Sequence, residues 1–189
     1  GCCFVGELGL DGEVRPVRGV LPIALRCAQE GLRTLFVPPA NAREAAVAGG
    51  VDIVAAATLN DVVAHLRGER RIAPEEVDTA TLFDEAHGAL QVDFADVRGQ
   101  AQARRALEIA AAGSHNLLLV GPPGSGKSML ARRVPGILPP MSLPEALETT
   151  RIHSVAGRLR PGQALVVNRP FRAPHHTISD AGLIGGGPN

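Results

Sequence analysis

The chain has 189 residues, enough for one large domain or two small ones with a real core. Its net charge is zero, which excludes bulk electrostatic attraction to nucleic acid, and no run approaches the roughly 18 apolar residues of a membrane span. Cys2 and Cys3 are adjacent and Cys27 stands alone, so no zinc spacing exists, and three thiols fit a reducing, cytoplasmic compartment.

The chain opens at Gly1 directly in strand-like sequence, without a signal peptide, and stops after Gly185-Gly186-Gly187-Pro188-Asn189 without a closing helix. The expectation is a fragment of a longer protein. Residues 1–67 read as a small α/β unit. Residues 4–8 and 12–17 form strands around the turn Asp11-Gly12. A helix over 21–30 ends at Gly31, Leu35-Phe36-Val37 is a short buried strand, and a helix over 42–48 closes at Gly49-Gly50. Residues 51–54 form another strand, and Asn60 or Asp61 caps a helix over 62–66. This alternation predicts a layered α/β fold.

Residues 68–92 are charged and lack a sustained apolar period, which marks a linker. Within it, Asp84-Glu85-Ala86-His87 spells the acidic box of one helicase class. It precedes the phosphate loop described below, whereas in those helicases it follows, so it reads as linker with a helical bias.

A second unit, 93–189, begins near Asp93. Ala103, Ala106, Leu107 and Ala110 recur at helical spacing, and Gly113 ends that helix. Asn116-Leu117-Leu118-Leu119-Val120 is a continuous apolar run, the pattern of a buried parallel strand. A helix over 127–134 breaks at Pro135. Ser142-Leu143-Pro144-Glu145 has capping-box spacing and opens a helix to about Thr150.

Between strand and helix lies Gly121-Pro122-Pro123-Gly124-Ser125-Gly126-Lys127-Ser128, a full match to G-x-x-x-x-G-K-S. Glycines let successive backbone N–H groups turn inward toward anionic oxygens. The following helix N-terminus favours negative charge. Lys127 is expected to reach the β/γ-phosphates and the Ser128 hydroxyl to ligate Mg²⁺, so the cofactors are ATP and Mg²⁺. Of 19 basic residues Lys127 is the single lysine, and the rest are arginines. A compact ammonium on a flexible stem suits this place better than a planar guanidinium.

The chemistry of hydrolysis needs an acidic partner motif after a later strand. Nothing between Ser128 and Asn189 supplies it, since Asp180 stands alone. Residues 149–179 contain no Asp or Glu but hold Arg151, Arg158, Arg160, Arg169 and Arg172, with His153, His175 and His176. They read equally as a surface for nucleic acid or a neighbouring subunit's nucleotide, and as a solvated loop. The pair His175-His176 has no matching metal-ligand partners in spacing.

The segments Asp93-Phe94-Ala95-Asp96-Val97-Arg98-Gly99-Gln100, 105–113 and 115–120, with the phosphate loop, resemble the ComM/YifB family of Mg-chelatase-like bacterial AAA+ ATPases. So do 169–179 and Leu183-Ile184-Gly185-Gly186-Gly187. The resemblance spans essentially the whole chain. It implies an N-terminal Lon/ribosomal-S5-like α/β domain followed by the N-terminal part of a P-loop AAA+ module, and a ring homo-hexamer. It implies a DNA-acting motor, a branch-migration helicase in natural transformation. The alternatives are a chelatase-type ATPase driving a protein–porphyrin partner, or an ATP-binding piece without turnover. It also places the acidic Mg²⁺ motif just beyond the triple glycine and residues 97–100 near the adenine. Residues 14–21 resemble the Lon segment that carries the catalytic lysine, with Leu21 in its place, which implies no peptidase activity.

Overall fold

A computed structural model describes residues 1–87, 93–175, 177–179 and 182. In chain order it contains β1 (Cys2–Phe4), β2 (Glu7–Leu8), β3 (Val14–Arg15), α1 (Val20–Gln29), β4 (Thr34–Val37), α2 (Pro39–Ala46), β5 (Asp52–Ala55) and α3 (Leu59–Leu66). These are followed by α4 (Thr79–His87), α5 (Ala101–Gly113), α6 (Lys127–Arg133) and α7 (Leu143–Val155). The chain is mixed α/β. No helix among the described residues is long and apolar enough to cross a membrane.

Two compact units share the chain, Gly1–Ala89 with Pro140–Asn168, and Leu90–Pro139 with Arg169–Asn189. In the first, β1, β4 and β5 form a parallel sheet in the order β1-β4-β5, and β2 and β3 pair as a small antiparallel hairpin. Parallel strands need helical crossovers, and the apolar positions of α1 and α2 supply them. Val20, Ala24, Cys27, Ala42 and Ala45 close over Leu35, Val37 and Ile53 to make the core. α3 starts one turn earlier than its sequence suggests. Thr58, not Asn60 or Asp61, is the cap, and Asp61 completes the box from the third helical position. Its carboxylate accepts from the Thr58 N–H at 3.0 Å while the Thr58 hydroxyl accepts from the Asp61 N–H at 3.1 Å.

Residues assigned to a linker by composition are helical at α4, where Leu82 and Phe83 pack on Leu21, Val47, Met141 and Ala146. The same cluster takes in Ala164 and Leu165, so Pro140–Asn168 folds with the N-terminal unit. Ser142 caps α7 with Glu145 as expected, and the helix runs past Thr150 to Val155.

The tie between α7 and the first unit is polar as well as apolar. Glu44 is 9% exposed and Ser154 3%. One Glu44 carboxylate oxygen accepts from the Leu21 N–H at 3.2 Å and from the Ser154 hydroxyl, and the other accepts from the Asn41 side-chain amide at 3.3 Å. Asn41 is itself fixed by bonds to the N–H and C=O of Val17. Thr150, fully buried, donates to the Ala146 carbonyl and accepts from the Val166 N–H.

The second unit has its own small core, in which Phe94 and Val97 pack on Leu107 of α5 and Leu130 of α6. The buried strand expected over residues 116–120 is not formed. The segment pairs with no strand among the described residues, and Leu118 and Val120 are 84% and 86% exposed. A parallel strand is stable only between neighbours, and the described residues of this unit contain no other strand.

Candidate functional site

The loop over 121–128 leads from residues 116–120 into α6, so the helix that the motif requires after it is present and the strand before it is not. Two of its glycines carry the turn. Gly124 has φ +80° and Gly126 +85°, a region in which a side chain strains the backbone. Gly126 caps α6, and its carbonyl accepts the helix-closing bond from Leu130 N–H at 2.9 Å.

The Lys127 side chain curls back over the loop. Its ammonium donates to the carbonyls of Gly121 and Pro122, both at 2.7 Å, and to the Ser125 hydroxyl at 3.2 Å. The lysine therefore spans the loop from its last turn to its first residue. Ser128 stands exposed at the start of the helix. The array brings together one cation, the backbone N–H groups of a glycine-rich loop and two hydroxyls, chemistry that suits an anionic oxygen and a hard divalent ion.

The segment 93–100, of which residues 97–100 were expected near the adenine, is joined to this loop and to the helix after it. Gln100 donates from its side-chain amide to the Ser125 carbonyl at 2.9 Å. The Arg133 guanidinium lies 3.6 Å from the Asp96 carboxylate and donates to the Met129 carbonyl. The Arg104 guanidinium lies 5.7 Å over the Phe94 ring. The sequence carries no sign of the Asp96–Arg133 pair. Gly99 before a helical run does hint at the left-handed entry to α5.

Other singled-out residues fall elsewhere. Leu21 is fully buried and its N–H is held by Glu44. Asp84 lies on α4, and the side chains of Glu85, Ala86 and His87 lie outside the described residues, as do His176, Asp180 and 183–189. The arginines of the acid-free stretch divide between the units. Arg151, Arg158 and Arg160 are exposed on the first, with Arg151 bonded to Glu148 at 2.7 Å. Arg169 and Arg172 belong to the second, where Arg169 donates to the Pro139 carbonyl. His175 contacts the Thr177 hydroxyl at 2.9 Å.

Residues 93–189 match the family model of magnesium chelatase, subunit ChlI, and residues 1–41 match a second model, subunit ChlI of Mg-chelatase. The first match begins at Asp93, where the composition changes. The chain is 49% identical over 184 residues to an uncharacterised protein of Mycobacterium tuberculosis (strain ATCC 25618 / H37Rv). It is 44% identical over 190 residues to competence protein ComM of Haemophilus influenzae, and 42% over 185 residues to the uncharacterised protein YifB of Escherichia coli. These matches cover 97% of this chain but only 35–36% of each relative. The chain thus spans about a third of the length of the curated relatives it matches.

Proposed function

We propose that this chain, which belongs to the magnesium chelatase subunit ChlI family and is of the ComM/YifB type, binds ATP with Mg²⁺ at residues 121–128 as part of an AAA+ motor that acts on DNA. The observation that carries the reading is the loop itself, with left-handed Gly124 and Gly126 turning its backbone into α6 and the only lysine folded across it. The residues fit the ligand. Lys127 holds the β/γ-phosphates, the N–H groups around Gly124 and Gly126 hold their oxygens, and Ser128 gives Mg²⁺ one hydroxyl ligand. A Mg²⁺ held there would supply neutralisation of phosphate charge. Glu145 and Glu148, the acidic residues between Ser128 and Ser179, are committed to the α7 cap and to Arg151.

On this reading residues 1–67 are the C-terminal part of a Lon/S5-like domain, 68–92 a linker and 93–189 the start of the AAA+ module, in a cytoplasmic homo-hexamer. Leu21 leaves the first domain without a general base, so no Ser-dependent peptide cleavage is expected. Net charge near zero means that DNA contact is made by local arginines such as Arg158, Arg160 and Arg172. The DNA reading is supported by the name of the Haemophilus relative, a competence protein. The description of the family, a magnesium chelatase subunit, favours a second reading, a motor that drives a protein–porphyrin partner.

Two measurements on the intact protein separate these possibilities. Lys127→Ala is expected to weaken ATP binding by at least about tenfold, because it deletes a charge-assisted contact. Unchanged affinity would remove the central assignment. ATPase activity stimulated by DNA, four-way junctions included, supports the first reading over the second, and no stimulation by any DNA counts against it.

A further inference from the structure

We infer that Gln100 is a positioning residue of the phosphate loop, which fixes the Ser125–Gly126 peptide so that the Gly126 N–H faces the phosphates. The inference rests on the ATP-binding reading of residues 121–128. Its geometry starts from a backbone anomaly. Gly99 has φ +68° and Gln100 φ +50°, ψ +42°. Glycine enters this left-handed region freely, whereas a glutamine there is uncommon and strained. Such conformations persist where the surroundings hold them, and they concentrate at functional sites.

What holds Gln100 is the loop. Its side-chain amide donates to the Ser125 carbonyl at 2.9 Å, between residues 25 positions apart in sequence. The approach depends on a missing side chain. A Cβ on Gly126 would lie 3.0 Å from that amide nitrogen, so the glycine before the lysine serves Gln100 as well as the turn. The segment carrying Gln100 is also fastened to the helix after the loop, by Phe94 and Val97 against Leu130 and by Asp96 beside Arg133.

The consequence follows from peptide geometry. In a planar trans peptide the C=O and the following N–H point in opposite directions. With the Ser125 carbonyl drawn toward Gln100, the Gly126 N–H points away from it. Among the described residues that N–H has no hydrogen-bond partner. An unpaired donor in the glycine-rich loop, next to Lys127, is placed for an anionic oxygen. Gln100 thereby acts on the phosphate chain through the loop, and the base of the nucleotide is not its target.

The test titrates the intact protein and its Lys127→Ala, Gln100→Ala, Gln100→Gly and Gln100→Glu variants with ATP and with GTP in the presence of Mg²⁺. Gln100→Ala and Gln100→Gly are each expected to weaken both nucleotides by about five- to tenfold, the weight of one hydrogen bond, with the ATP-to-GTP ratio unchanged. Gln100→Glu, which keeps the length but turns an acceptor toward a carbonyl, is expected to lose at least as much. Gln100→Gly also relieves the strain, so its unfolding midpoint without nucleotide should not fall, which separates a positioning role from a folding defect. Wild-type affinity in Gln100→Gly or Gln100→Glu, with Lys127→Ala still impaired, overturns the inference and leaves the ATP reading intact. A change in the ATP-to-GTP ratio overturns it in favour of a base contact. Equal affinity in wild type and Lys127→Ala removes the ATP reading and the inference with it.

Discussion

Replacing Glu44 by alanine tests whether Pro140–Asn168 belongs structurally to the N-terminal unit. The carboxylate serves three donors on three elements, the Leu21 N–H of α1, the Asn41 amide of α2 and the Ser154 hydroxyl of α7. Leu21 is fully buried and Ser154 nearly so, so in Glu44→Ala neither recovers a water in place of the lost acceptor. A buried donor left unsatisfied costs about 1–3 kcal/mol. Two of them, with the Asn41 amide released as well, give about 3–5 kcal/mol, a large share of the roughly 5–15 kcal/mol by which a domain is stable. Glu44→Gln keeps the shape but turns an NH₂ toward the Asn41 amide, and about 1–2 kcal/mol is expected. Ser154→Ala removes one donor and leaves Glu44 two partners, for about 1 kcal/mol. Urea unfolding followed by circular dichroism reads these values. Hydrogen exchange over α7 adds the location, since losing the Ser154 contact should raise exchange in its last turn. The double variant Glu44→Ala/Ser154→Ala should be non-additive by at least about 0.5 kcal/mol, because the two side chains share one bond. A Glu44→Ala loss below about 1 kcal/mol, or strict additivity, would refute the claim that this bond holds α7 to the first unit.

Three further outcomes are expected. Burial, and then the neighbouring Cys3 thiol, hold the Cys27 pKa above the ordinary thiol value. Alkylation of the native protein near neutral pH should therefore mark exposed Cys2 and spare Cys27 until urea is added, as mass spectrometry of the digests would read. Thr58→Ala removes the hydroxyl that accepts from the Asp61 N–H and should destabilise the first unit by about 1 kcal/mol in the same urea assay. Leu118→Ser, at a position 84% exposed, should change the stability of the 189-residue chain by less than about 0.5 kcal/mol while lowering its self-association in light scattering.

What could be read from the sequence was what residues close in the chain decide among themselves. The Ser142–Glu145 cap was legible, and the strands read at 35–37 and 51–54 and the helices read over 21–30 and 42–48 meet β4, β5, α1 and α2 with ends shifted by one to three residues, since all depend on spacing within a few residues. Thr58 was missed because Asn60 and Asp61 are equally good capping types; choosing among them needs the backbone conformation, which is extended at Thr58. The helical bias read within 68–92 is present as α4, but its packing was not legible, because its apolar residues, Leu82 and Phe83, are few and meet their partners near residues 21, 47 and 141. The partnership of Glu44 with Ser154 crosses 110 positions, and no local pattern announces it. Residues 116–120 mislead in the other direction. Their composition is that of a buried strand, but burial is a property of neighbours, and the described residues provide none. Gln100 stood between these cases: its neighbourhood to the nucleotide followed from resemblance, whereas its bond to the loop carbonyl came only from the left-handed turn at Gly99 and Gln100.

The bonds of Lys127 explain why the chain's only lysine stands at this position. Its ammonium already sits across the loop, donating to two backbone carbonyls and a hydroxyl. These bonds are charge-assisted on the donor side alone, whereas a phosphate oxygen would bring a charge on the acceptor as well. On the ATP reading proposed above, an arriving polyphosphate would exchange partners with a cation already close by, one that braces the loop through its present bonds. Both states need three donors on one compact head that can swivel. A guanidinium has its donors fixed in a planar fork, which cannot meet the Gly121 and Pro122 carbonyls and then rotate onto a tetrahedral phosphate. Elsewhere the chain uses arginine for surface ion pairs, as at Arg15, Arg70 and Arg151, where a fork serves as well or better. On that reading the lysine marks the place where the cation would move, and the Gln100 bond to the Ser125 carbonyl would keep the adjoining peptide from following it.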